Sequence, residues 1–577
     1  MSEQEIVVEM DKDSAGGAGK RAFYALLTCF TVIFTISVAI LYLYDVRPMA
    51  YFIWMAALAL ILLFEILYVD LSGKRSLVIL FQVIVYSLNL IWGVTLNYYF
   101  FIGRTDTLPH VWWAENLLQL GHVTDIFTVY EPFPLWHILC DSVYLITGIT
   151  APLFKVFFIN SGLVYAILGI LGMYLLVKKL ANDERMALIA ALFLSFNTTF
   201  VFYGMYSISR SIDMILFIVL MILLIDHDNK IKRWLAYGLS FAMIVYHTVS
   251  CLFVLVVLGL TYVIQKVFVK SKQNPIVTFR FLLIFVGMIV VYWAVNATNI
   301  IWTISDSLLQ SSSGSSGLQT GSINNTPLTE VFNYSQYSIV ILFILIGAMF
   351  ILGQRSSDIK LKIIALLSLI LIPLSYPGPL LLMNTLSSTA SIGRFEEYAF
   401  MFMVVISAAG FILLYRKHNK IINAFIIVLF VAMVFLSITS DFVASDNPLV
   451  KRPFYTDYLH EAEITGLDNV ANFTGGYVMT DYVAARYLGS SPYQDKMHIL
   501  EADSVNEKLL TGDSSDVIVI RDGELDIRPI KIYTTDRGFI LGPSWNALDY
   551  YYKGDPVFAS LGQRNLVYSS NYMSAYE

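Results

Sequence analysis

The sequence predicts a polytopic α-helical membrane protein of about thirteen spans, followed by a C-terminal extracytoplasmic α/β domain. Three observations predict it. Of 577 residues, 57% are hydrophobic and 14% charged, with a mean hydropathy of +0.68, where a soluble domain carries about 25% charged residues. Apolar runs close to the ~20-residue bilayer span recur from Ala22 to about Ile438. Lysine and arginine are sorted between alternate loops, as the positive-inside rule requires. This composition excludes a single globular domain, a disordered chain and a nucleic-acid-binding module.

The spans read as 22–44, 50–69, 77–101, 154–177, 186–204, 211–227, 234–250, 251–268, 280–298, 336–353, 361–376, 396–415 and 421–441. With the N-terminus cytoplasmic, the cytoplasmic segments hold 21 basic residues, among them Lys74, Arg75, Lys178, Lys179, Arg185, Lys230, Lys232 and Arg233. The opposite loops keep five: Arg47, Arg104, Lys155, Arg210 and Arg394. This topology requires that Leu135–Thr150 not cross, and about 16 residues carrying His137 and Asp141 fit a juxtamembrane or re-entrant helix better. The expected division is a cytoplasmic tail (1–21), a multi-spanning region (22–441) and an extracytoplasmic domain (442–577). The acidic, Gly-rich N-terminus is unlike a signal peptide, so the first helix reads as an uncleaved anchor in a multi-pass cell-membrane protein.

Cys29, Cys140 and Cys251 all lie in apolar segments, which excludes a disulfide framework. Sequons at Asn197, Asn296, Asn324, Asn333 and Asn472 fall on or near the outer side. In the C-terminal portion, GGYVMT (475–480) and DVIVIRD (516–522) read as strands and KIYTTDRGFIL as a strand pair. NLVYSSNYMSAY (565–576) reads as a hairpin turning near Asn571, and helices are expected around 481–488 and 503–510.

Ionisable groups at membrane depth are costly and mark function by default. The loop GRTDTLPHVWWAENLLQLGHVTDIFTVYEPFPLWHILCD (103–141) is richest in them: Asp106, His110, Glu115, Glu131 and His137. Asp106 is either a helix cap ahead of Pro109 or a carboxylate serving as general base or metal ligand. In SISRSID (207–213), Arg210 and Asp213 stand three apart, the spacing of an ion pair along one helix. His247 lies at a hairpin between two spans, either buried and satisfied or catalytic. SIGRFEEYAF (391–400) puts Arg394, Glu396 and Glu397 at the outer start of a span. Guanidinium groups clamp phosphate bidentately, so Arg210 and Arg394 suit a phosphorylated lipid headgroup, with snorkelling anchors as the plain alternative. The stretch SSSGSSGLQTGS (311–322) is a flexible cover or a tether. No P-loop, HExxH or Cys/His metal pattern is present.

At 103–141 the sequence resembles the GT-C superfamily of membrane glycosyltransferases, particularly its archaeal members. The likeness lies in RTDTLPH, the helix WWAENLLQLGHV, the turn PFPLWHIL into ITGIT, and VKKLANDERMALIAALFLSFN (177–197). The resemblance implies a GT-C-like transmembrane fold and an inverting hexosyl- or pentosyltransferase. Its implied partners are a polyprenyl (dolichyl) phosphate-linked sugar donor, a glycan, lipid or protein acceptor, and membrane lipids, without nucleic acid. It implies Asp106 as the base, Glu131 or His137 positioning the acceptor or a metal, Arg394 on the donor phosphate, and the 300–335 loop as the mobile external loop of oligosaccharyltransferases. His110 joins Asp106 and Glu131 as a catalytic candidate. His137, Arg210, Asp213, His247, Arg394, Glu396 and Glu397 are substrate-binding candidates. A divalent cation, Mg or Mn, is the one cofactor contemplated. The first loop has no D-x-D and the C-terminal domain no WWDYG-like motif, which points to transfer of a single sugar. The competing classes are a flippase, transporter or polymerase of lipid-linked glycans, and a non-enzymatic scaffold.

Overall fold

The computed structural model describes residues 15–44, 46–96, 98, 100–102, 107–148, 161–226, 229–269, 275–302, 327–354, 358–375, 395–417, 419–440, 443–444, 457–502, 516–534 and 548–577. Of the sequence candidates, Asp106, Arg394, Asn324, the 311–322 stretch and the 503–510 helix lie outside them.

The membrane part opens with α1 (Ala15–Leu43), α2 (Met49–Tyr68) and α3 (Lys74–Trp92), then a short strand β1 (Phe100–Ile102). Two helices follow, α4 (Thr107–Leu120) and α5 (Leu135–Thr147). The bundle continues through α6 (Leu168–Ala181, preceded by the π-helical turn Ser161–Ile167), α7 (Glu184–Ser195), α8 (Thr198–Tyr206), α9 (Ser209–Ile225), α10 (Lys230–Tyr246) and α11 (Ser250–Ile264, continued by the π-helical turn Gln265–Val269). It ends with α12 (Phe279–Asn296), α13 (Pro327–Gly353), α14 (Ile359–Ser375), α15 (Glu396–Lys417) and α16 (Lys420–Ile438).

Among the described residues nine helices are long and apolar enough to cross a membrane, and α7–α8 taken as one bent span makes ten. The remaining three expected spans are the 17-residue helices α9, α10 and α14, about 25 Å long at 1.5 Å per residue. The expected third span, 77–101, is too long: α3 stops at Trp92 and residues 100–102 are extended. Those residues pair with a strand far along the chain, and apolar character alone does not tell a buried strand from a helix end. The 186–204 run bends by 56°, because the Asn197 side chain accepts from the Phe200 N–H at 3.0 Å and starts a new helix. That sequon asparagine therefore serves as a cap. Helix α5 has 13 residues and spans about 20 Å, short of the ~30 Å hydrocarbon core.

Helix α15 is the most enclosed of the candidate spans among the described residues. Two glycines allow it to touch α13 backbone to backbone. A Cβ on Gly410 would lie 1.9 Å from the Phe343 carbonyl oxygen, and one on Gly347 2.3 Å from that of Ile406. This close crossing holds the helix that begins with Glu396 and Glu397. At one end of the bundle Lys232 pairs with Asp226 at 2.6 Å, Lys360 donates to the Ile225 carbonyl, and Arg185 donates to the Leu67 and Val69 carbonyls. The C-terminal domain sits at the other end.

That domain begins with β2 (Asp457–Leu459), α17 (Glu461–Phe473), β3 (Val478–Thr480), α18 (Tyr482–Leu488), β4 (Met497–Ile499) and β5 (Glu501–Ala502). It continues with β6 (Val517–Ile520), α19 (Asp522–Ile527), β7 (Ile530–Thr534), β8 (Leu548–Tyr551), β9 (Leu566–Ser569) and β10 (Ser574–Tyr576). A five-stranded sheet runs β4-β3-β6-β10-β9, with β3 parallel to β4 and β6. The 565–576 hairpin forms as expected, closed by the Ser570 N–H donating to the Met573 carbonyl at 2.9 Å. Strand β1 pairs antiparallel with β2, Phe101 opposite Tyr458. One apolar cluster joins Leu108, Val111, Trp136 and Cys140 of the α4–α5 hairpin to Leu459, Ile464, Tyr482 and Val483 of the domain.

Candidate functional site

Three polar groupings meet where the bundle adjoins the C-terminal domain. The first is an ion pair between helices. Arg210 Nη1 donates to Glu397 Oε1 at 2.8 Å, with side chains only 12% and 5% exposed. The Tyr203 hydroxyl donates to the same carboxylate oxygen, and the Arg210 guanidinium lies 5.6 Å from the Tyr203 ring centroid. Neighbouring Glu396 accepts from the Thr199 hydroxyl. The sequence spacing offered Asp213 as partner to Arg210, but the guanidinium turns to α15 instead. Ser207 adopts φ +47° between α8 and α9. Ser211 Oγ donates to the Tyr203 carbonyl at 2.8 Å, which locks the turn and aims the first residues of α9 across the bundle. Two atoms of the pair, Arg210 Nε and Glu397 Oε2, are buried without a hydrogen-bond partner.

The second grouping is a histidine pair. His110 Nδ1 faces His137 Nε2 at 2.9 Å, so only one of the two facing nitrogens carries a hydrogen. The rings stack against each other with Trp113, Phe127 and Tyr130 around them. Burial, with the Arg210 charge adding to it, pushes His110 down to about 3. Burial and the neighbouring His110 hold His137 well below the usual histidine range. Both imidazoles are therefore neutral at pH 7, and His137 Nδ1 is buried without a partner. One turn along α5, Asp141 has both carboxylate oxygens buried and unpaired, and burial together with Glu115 pushes it up to about 7.

The third grouping is a hydrogen-bonded chain. The Ser250 N–H donates to His247 Nδ1 at 3.2 Å, which places the imidazole proton on Nε2. Ser250 Oγ lies 2.7 Å from the same nitrogen and accepts from the Tyr398 hydroxyl. Asp213, fully buried, faces Ser250 from α9 without a hydrogen bond of good geometry. The Tyr130 ring, 6.1 Å from His247 and 4.7 Å from His110, connects this chain to the histidine pair. Thr107, at the start of α4, donates to the Tyr206 carbonyl at 2.6 Å and ties the α4 loop to the turn before Arg210.

The structure thus gathers His110, His137, Arg210, Asp213, His247, Glu396 and Glu397 into one neighbourhood. Glu131 stands apart, exposed beside Tyr130. Sequence reasoning missed Thr199, Tyr203, Ser250 and Tyr398. The chain has 36 tyrosines, and a tyrosine in an apolar run packs far more often than it acts, so nothing local singled these out. Among the described residues no three His, Cys, Asp or Glu side chains converge as a metal site. The donors of the described residues do not converge on one cation, and no chemical step is assigned to one.

No family model matches the chain, and no curated protein matches it in sequence. Solved structures do. The Archaeoglobus fulgidus oligosaccharyltransferase in its apo form matches with a TM-score of 0.51 at 13% identity, over 73% of this chain and 64% of that one. The chain has a GT-C fold. It spans about 64% of the length of that oligosaccharyltransferase. The same organism's AglB, in complex with an inhibitory peptide and a dolichol-phosphate, gives 0.49 at 12% identity over 77% and 69%. ArnT from Cupriavidus metallidurans bound to undecaprenyl phosphate gives 0.47 at 9% identity, over 87% of this chain and 97% of that one.

Proposed function

We propose that the chain is a membrane glycosyltransferase. It takes a single hexosyl or pentosyl unit from a polyprenyl (dolichyl) phosphate carrier and passes it to a glycan, lipid or protein acceptor. The reaction runs on the membrane face that bears the 442–577 domain, the extracytoplasmic one if the N-terminal tail 1–21 is cytoplasmic. The observation that carries this reading is the enclosed Arg210–Glu397–Tyr203 cluster beside the His110–His137 pair, on a fold shared with an oligosaccharyltransferase.

In the proposed reaction an acceptor hydroxyl attacks the sugar's anomeric carbon. Its proton passes to the Asp106 carboxylate, the bond from carbon to carrier oxygen breaks, and polyprenyl phosphate leaves with the electron pair. The configuration inverts. A phosphate leaving group needs positive charge held in place in a water-poor site, and Arg210 and Arg394 supply it. The unbonded Arg210 Nε is a donor for one phosphate oxygen. The neutral His110–His137 pair offers hydrogen bonds to sugar hydroxyls without a competing charge.

The test uses purified protein in lipid with a panel of polyprenyl-phosphate sugars and acceptors, following release of free polyprenyl phosphate. Sugar-specific release that Asp106→Asn loses by about 100-fold or more supports the base assignment. Turnover unaffected by that substitution removes Asp106 from the mechanism, and an absence of turnover with every donor and acceptor pair overturns the reading.

A further inference from the structure

Strand β1 leads, four residues on, into α4, the helix that carries His110. Its only strand partner among the described residues is β2, and a two-stranded pair of three residues each is marginal by itself. The other side of β2 explains why it holds. Arg521 Nη2 donates to the Tyr458 carbonyl at 2.8 Å, and Nε of the same guanidinium donates to Glu463 Oε1 at 2.8 Å. Its Nη1 lies 3.5 Å from Asp481. The Tyr458 ring is covered by the Arg528 guanidinium at 4.6 Å and by Tyr98 at 4.3 Å, and Arg528 pairs with Glu524. All five charged groups are buried.

The position of this cluster is informative. Arg521 directly follows β6 and Asp481 directly follows β3, adjacent parallel strands in the sheet. From β3 the chain crosses to β4 on one side, and β6 lies on the other. In open α/β sheets the crevice beyond the carboxyl ends at such a reversal is where ligands bind. Here the crevice grips the chain's own Tyr458. A buried charge network gives little net stability compared with apolar packing and is best attested where it fixes register. The next residue, Leu459, packs in one cluster with Leu108 and Val111 of α4.

We propose that Arg521 is a positioning residue for the transfer reaction. By gripping Tyr458 it fixes the β1–β2 pair and, through Leu459, the start of α4 and its His110. The role in transfer rests on the function proposed above; the grip itself does not.

The test uses full-length protein in lipid and Arg521→Lys, which keeps a charge beside Glu463 but loses the fork that also reaches the Tyr458 carbonyl. Two readouts are taken: amide hydrogen exchange at 100–102 and 107–111, and steady-state kinetics. The expected result is at least tenfold faster exchange in those segments, unchanged exchange in β3 and β6, and a kcat lowered at least tenfold with donor KM within about twofold. A disulfide from Ile102→Cys and Asp457→Cys, facing positions in the pair, then restores slow exchange and kcat in the Lys background. Unchanged exchange at 100–102 and 107–111 overturns the grip. Faster exchange with unchanged kcat, or a disulfide that restores exchange but not kcat, overturns the positioning role. Should exchange respond while wild type turns over no donor, the grip stands and the glycosyltransferase reading falls. Should Arg521→Lys lose the domain altogether, Glu463→Gln decides instead, because it keeps the shape but removes the carboxylate that orients the Arg521 fork. Faster exchange at 100–102 in that variant supports the grip, and unchanged exchange overturns it.

Discussion

Replacing Arg210 by methionine separates a structural from a substrate role, because its one observed ion-pair partner can be replaced as well. Arg210→Met leaves the Glu397 carboxylate, 5% exposed, with only the Tyr203 hydroxyl on its bonded oxygen. Stranding one partner of a buried pair costs about 3–5 kcal/mol, so the single variant is expected to be clearly destabilised. Adding Glu397→Gln removes the stranded charge and is expected to recover most of that loss, because replacing both partners of a buried pair is often neutral. Donor binding should not recover. A charge-assisted hydrogen bond to phosphate contributes about 1.5–3 kcal/mol, roughly a 10- to 150-fold rise in donor KM. The assay pairs thermal unfolding in detergent with polyprenyl-phosphate release across donor concentrations, for both variants. A double variant that folds like wild type and keeps the wild-type donor KM would refute a phosphate role for Arg210.

Burial keeps His110 and His137 neutral in the fold, so the unfolded chain binds more protons below pH 6.5 and stability is lost as pH falls through that window. By pH 5 each histidine accounts for about 2 kcal/mol, and a His110→Gln, His137→Gln variant should show a flatter acid limb in unfolding titrations. Asp141 has the opposite sign: its carboxyl is raised to about 7, so its contribution is present at acid pH and lost as pH rises from about 4 to 7. Asp141→Asn should therefore steepen the net acid loss, and a shallower slope would contradict its burial. In the bundle, Gly410→Val sets side-chain atoms against the Phe343 carbonyl. It should lower the yield of folded protein and destabilise by about 3 kcal/mol or more, while Gly238→Ala, with nothing within 4 Å, should be neutral or stabilising.

How much of this was legible from the sequence depends on the range of the interaction involved. Hydrophobic runs and loop charges are local, and each of the thirteen expected spans contains a helix among the described residues. The short α5, the β3 and β6 strands and the 565–576 hairpin were readable for the same reason: alternation and turn residues act within a few positions. The candidate histidines, Arg210 and the Glu396–Glu397 pair stood out because charge is rare at membrane depth, which is a statement about cost and not about contacts. The partnerships were not legible. Arg210 chose Glu397, 187 positions away, over Asp213 three positions away. Residues 100–102 left the third span to pair with 457–459. Tyr203, Ser250 and Tyr398 gained polar roles that no pattern marks. Local physics writes periodicity and cost into the sequence. Which buried donor meets which acceptor is settled only when helices far apart in the chain pack against one another, and here that packing brought the candidate residues together.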